Sequence, residues 1–154
     1  MVIQRIQTLY LLLVAVLSAV TAFVTVGTLS PLGDAMPVAV TPLGASTPVD
    51  DAAYWWPAAI LIAAAAVAVW AILSFKRLAR QTALGVTLII MLVCYYAMQI
   101  LVLVSLSEAS GATCRINWPL CLPLVAIVLA IMAIRAIKHD RKLLKDANSM
   151  RLRD

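Results

Sequence analysis

Lys76-Arg77-Leu78-Ala79-Arg80-Gln81 is a short basic break in a chain that is otherwise strongly apolar. Two long apolar runs precede it and two follow. Three of the chain's twelve Lys and Arg lie within these six residues. Basic residues that flank apolar runs are retained on the cytoplasmic side of a membrane. Taken as a cytoplasmic turn, the stretch orients every other segment.

The composition agrees. Of 154 residues, 64% are hydrophobic and 12% are charged, against about 45–50% and about 25% in a soluble domain. A soluble fold of this length could not bury that much apolar surface, so lipid must act as the solvent for much of it. A transmembrane helix takes about 20 residues. The apolar runs give spans at about 9–27, 55–75, 82–106 and 118–137 of one four-helix domain. The net charge of +5 is concentrated at span ends, which argues against nucleic acid. The cysteines and the single histidine, His139, have no metal-ligand spacing.

Residues 9–27 form an uncharged run of nineteen, about 28 Å as a helix and close to the roughly 30 Å hydrocarbon core. With Arg5 before it, the run has a signal peptide as its rival reading, but it exceeds the usual apolar length of about 7–15 residues. Ser18, Thr21 and Thr25 share a face of this helix, where hydroxyls are expected to bond back to their own helix carbonyls. Residues 28–54 form a periplasmic loop with four prolines, Asp34, Asp50, Asp51 and no Lys or Arg. Within it, Val38-Ala39-Val40 before Pro42-Leu43-Gly44 predicts a short hairpin. Tyr54, Trp55, Trp56 and Pro57 then mark the headgroup level at the start of the second span. That span is rich in alanine, which suits close approach by neighbouring helices.

The third span carries Cys94, Tyr95, Tyr96 and Gln99. A Gln amide does not face lipid without a partner. Gln99 is therefore expected to point inward, toward Tyr95 or the Ser18/Thr21/Thr25 face. The six residues Ser18, Thr21, Thr25, Tyr95, Tyr96 and Gln99 make a candidate intramembrane polar cluster. Cys94 reads as a small apolar filler. In the second outer loop and the opening of the fourth span, Cys114 and Cys121 leave a disulfide open as a reading. From Arg135 the chain carries seven basic and three acidic residues with no Gly or Pro. The fourth helix should therefore continue as a basic cytoplasmic tail over 138–154. Such a helix suits anionic lipid headgroups or a protein partner. His139 and Asp140 read as neighbours on a solvated surface.

Eleven of the twelve Lys and Arg fall near the N-terminus, in the 76–80 stretch or in the tail; Arg115 is the exception. The expectation is an all-α polytopic membrane protein. Its four transmembrane helices form an antiparallel bundle in a bacterial inner membrane, with both termini cytoplasmic.

The two ends carry a resemblance. Met1-Val2-Ile3-Gln4-Arg5-Ile6-Gln7-Thr8-Leu9-Tyr10 and the basic run from Ala133 to Arg153 are similar to the ends of a four-span family of Bacteroidota membrane proteins, the domain of unknown function 4293. The sequence departs from it at Arg141, where an acidic residue is common. The resemblance implies a Gram-negative inner membrane and no particular activity. It draws Gln4, Arg5 and Gln7 toward the start of the tail, which lies at the same membrane face.

Several chemistries are excluded by what the spans lack. There is no Cys-x-x-Cys for thiol oxidation. No span interior carries Asp, Glu, Lys or Arg to couple a pump. The lone histidine lies outside the spans and so cannot serve a nucleophile there. The sequence favours a non-enzymatic structural or accessory subunit of a membrane complex, without cofactor or metal, acting through a membrane-protein partner or homo-oligomer. The alternative is a bundle that binds or carries a small molecule or lipid.

Overall fold

The computed structural model describes residues 2–30, 36–45, 54–74 and 77–151. Lys76, Asp34, Asp50, Asp51 and residues 152–154 lie outside the described residues, as do the side chains of Gln4, Arg5, Ala147 and Met150. The elements run α1 (Val2–Phe23), β1 (Gly27–Ser30), β2 (Val38–Thr41), β3 (Gly44–Ala45), α2 (Trp56–Leu73), α3 (Leu78–Ser110), β4 (Thr113–Ile116), a 3₁₀ turn (Trp118–Cys121) and α4 (Leu122–Arg151). All four α-helices include a segment long and apolar enough to cross a membrane.

Each helix hides one narrow stripe. In α1 it is Gln7, Leu11, Val14, Ser18 and Thr21; in α2, Pro57, Leu61, Ala64, Ala68 and Ala71. In α3 it runs Gln81, Gly85, Leu88, Leu92, Tyr95, Gln99, Val102 and Leu106. In α4 it is Ala126, Ala130, Ala133, Ile137 and Asp140. The spacings alternate between three and four, the pattern that keeps one seam inward along nearly aligned helices. The helices pack as a circuit in which α1 and α3 each touch α2 and α4. Alanines on α2 and α4 let these backbones close in. Gly85 serves the same end: a Cβ there would stand 2.8 Å from Ile134 Cγ1.

One end of the circuit is closed by a sheet of order β3-β2-β1-β4, antiparallel throughout. The expected hairpin is its β2–β3 pair, turning at Pro42-Leu43. The β1–β4 pair joins the two loops at this end, with Thr28 opposite Arg115. The fold is therefore mostly helical rather than all-α. Loop backbone needs hydrogen-bond partners, and strands so far apart in sequence can supply them once the helices bring them together. Leu29 and Val40 point beneath the sheet onto Val102, Leu103 and Leu106 of α3. The Pro42 carbonyl accepts from the Ala58 amide at 3.3 Å, which meets one unpaired donor of α2's first turn.

Element ends differ from the sequence expectation in three places. The first helix starts at Val2 and stops at Phe23, so Thr25 lies beyond it and Gly27 opens β1. The basic stretch is a helix start from Leu78 onward, and Gln81 is buried. The third helix runs on to Ser110 and ends at Gly111, whose φ of 58° is the left-handed conformation that terminates helices.

Candidate functional site

The polar residues singled out from the sequence divide by their hydrogen bonds. Ser18, Tyr95 and Gln99 are fully buried. Ser18 Oγ, Tyr95 Oη and both amide atoms of Gln99 have no hydrogen-bond partner. The inward direction expected of Gln99 is therefore present. Gln99 bonds neither to Tyr95 nor to the Ser18/Thr21/Thr25 face, the two directions expected of it, and the return bond of Ser18 to its helix is not formed. Thr21 does bond back, donating to the Leu17 carbonyl at 2.7 Å. Thr25 is half-buried and off the helix. Tyr96 turns toward the start of α4, donating to the Leu120 carbonyl at 2.5 Å. Its ring meets that of Tyr95 edge-on, with centroids 5.9 Å apart.

Tyr95 and Gln99 stand where two apolar clusters meet along α3. Tyr95 belongs to the cluster that fills the helix circuit, with Leu11, Leu61, Leu92 and Ala126. Val102 and Leu103 belong to the second cluster, under the sheet. Gln99 stands on the α3 stripe between the two. A buried polar atom without a partner costs about 1–3 kcal/mol. Native interiors rarely leave one so, and here four come from three side chains on helices across the circuit.

At the other end, Gln7 Nε2 donates to Asp140 Oδ2. Asp140 is only 9% exposed, so it is not the solvated neighbour of His139 that the basic tail suggested. His139 itself is exposed. Asp140 falls in register with Ala133 and Ile137 and so points inward. The Gln7 contact is the expected meeting of the chain's start with the start of the tail. Beyond it, side chains 141–146 are all exposed.

The three cysteines are free thiols, and no Cys114–Cys121 disulfide is formed. Cys114 is partly buried in the packing beneath the sheet, while Cys121 is exposed. Burial pushes the Cys114 thiol above its ordinary value. Cys94 lies on the outer surface of α3 rather than filling the interior. Among the described residues, no group of His, Cys, Asp and Glu could hold a metal ion.

The chain belongs to the family described as Domain of unknown function (DUF4293), whose model matches residues 3–150. No curated protein matches it.

Proposed function

We propose that this chain is a non-enzymatic accessory protein of a bacterial inner-membrane complex. Its four helices form an antiparallel bundle with both termini cytoplasmic, and the extension of α4 docks a partner protein. The observation that carries the reading is the continuity of α4 past the Gln7–Asp140 contact, with side chains 141–146 all exposed. From Leu122 to Asp140 the helix rises about 28 Å, roughly the hydrocarbon thickness. Residues 141–151 would then project about 16 Å into the cytoplasm. A helix continuous with its span stands away from the bilayer, whereas one lying on headgroups needs a break at the membrane surface, and α4 has none. The projecting turns present Arg141, Lys142 and Lys145 beside exposed Leu143 and Leu144. An acidic partner surface with an apolar centre fits that mixture. The skewed distribution of Lys and Arg supports the orientation.

The test compares the full chain with a chain ending at Asp140, both purified from native membranes in mild detergent. Truncation there keeps Asp140 and its contact with Gln7, which truncation after Lys138 would destroy. A stoichiometric protein partner present with the full chain and absent from the shortened one supports the reading, provided the two melt alike. Equal partner recovery from both chains, or none from either, overturns it. Loss of binding to anionic vesicles alone would make the tail a lipid-surface contact instead.

A further inference from the structure

Tyr95 and Gln99 are successive stripe positions of α3, and Ser18 lies on the inward stripe of α1, across the circuit. Each is fully buried, and none has a hydrogen-bond partner for its side chain. Both apolar clusters bound this layer along the helix axes: Leu11, Leu88 and Leu92 toward the tail, Leu29, Val102 and Leu103 toward the sheet. The cluster that contains Tyr95 also holds small side chains, including Ala22, Ala64 and Ala126.

We propose that Ser18, Tyr95 and Gln99 form a binding site, within the membrane span, for a neutral hydroxyl group. The chemistry of the three side chains sets the class. None carries a charge, so an ionic ligand would lose its hydration without compensation. Gln99 Nε2, Tyr95 Oη and Ser18 Oγ can donate, and Gln99 Oε1 can only accept. A hydroxyl satisfies both needs at one atom: it accepts from Nε2 or Oη and donates to Oε1. A bare carbonyl would leave Oε1 unmet. Two sources supply this group, the head of a hydroxyl-bearing neutral lipid and water. The apolar clusters closing the layer along the axis favour arrival from the side, through lipid. The site is independent of the α4 extension and stands whether or not that extension docks a partner.

The experiment uses the full chain in phosphatidylethanolamine and phosphatidylglycerol vesicles doped with dioleoylglycerol. Retained lipid is measured by native mass spectrometry after gentle extraction, and magnetisation transfer from water to the Gln99 amide by solid-state NMR. Tyr95→Phe removes only the hydroxyl, and Gln99→Leu removes both amide atoms. A retained dioleoylglycerol mass that falls roughly three- to tenfold in Tyr95→Phe, the loss of one hydrogen bond, and vanishes in Gln99→Leu supports the site with lipid as the source. Water transfer to Gln99 without retained lipid, weakened in Tyr95→Phe, supports it with water as the source. Absence of both signals in the folded wild-type chain overturns the proposal, as does lipid retention that neither variant changes. Gln99→Leu should fold at least as well as the wild type, since it removes unpartnered atoms from an apolar layer, so loss of binding is not loss of fold.

Discussion

Removing the amide of Gln7 should destabilise the protein through Asp140, at the opposite end of the sequence. Gln7 is 2% exposed and Asp140 9%, and one hydrogen bond joins them. Asp140 Oδ1 already lacks a partner, so Gln7→Leu leaves both carboxyl oxygens unmet where water cannot easily reach. A hydrogen bond to a charged group contributes about 1.5–3 kcal/mol, and burial this deep places the loss in the upper half of that range. Asp140→Leu leaves the Gln7 donor unpaired and should cost about 1–3 kcal/mol. The double variant replaces both partners by apolar groups and should be much less damaged than the sum. The expected coupling is at least about 1.5 kcal/mol, within the range for contacting residues. Reversible unfolding in mixed detergent micelles, followed by circular dichroism, gives all four corners of the cycle. Additivity within about 0.5 kcal/mol would refute the contact as a stabilising link between the chain's start and its tail.

Other outcomes follow from single contacts. Gly85→Ala should destabilise by about 1–3 kcal/mol, because its Cβ would press on Ile134; adding Ile134→Ala should cost less than the two changes summed, as thermal melts would show. Tyr96→Phe loses the bond to the Leu120 carbonyl and should cost about 0.5–1.5 kcal/mol, read from the same melts. In mild detergent, a small maleimide should modify exposed Cys121 well before half-buried Cys114, followed by mass spectrometry of the peptides. Burial raises the Cys114 thiol, so the folded state holds that proton more tightly than the unfolded one. Its contribution to stability is present below the unfolded value and is lost as pH rises through the folded one; in Cys114→Ala this alkaline loss should shrink.

The four long apolar helices were legible because the length and hydropathy needed to cross a membrane are demanded of each segment separately, and such local constraints survive in the sequence. So were the β2–β3 hairpin, made by a proline turn between neighbouring strands, and the inward direction of Gln99, which lipid would not tolerate. The β1–β4 pair was not legible. Thr28 and Arg115 carry no local sign of each other, and their pairing depends on helices that bring distant loops together. Tyr96 likewise bonds to a carbonyl that any residue at position 120 would offer.

The inward side of Asp140 was not legible for a different reason. Its neighbours Lys138, His139, Arg141 and Lys142 make the local composition read as solvated surface, whereas helical phase decides which side chain turns inward. Ala126, Ala130, Ala133, Ile137 and Asp140 continue one alternating spacing, as do Gln7, Leu11, Val14, Ser18 and Thr21. Followed to their ends, the two stripes place Gln7 and Asp140 on inward faces before any contact is known. The same alternation carries Gln81 and Gln99 on α3. In this chain, polar residues on a stripe otherwise filled by Ala, Leu and Val mark the places where the packing must supply a partner. Gln7 and one carboxyl oxygen of Asp140 find it in each other, and Ser18, Tyr95 and Gln99 do not find it within the protein.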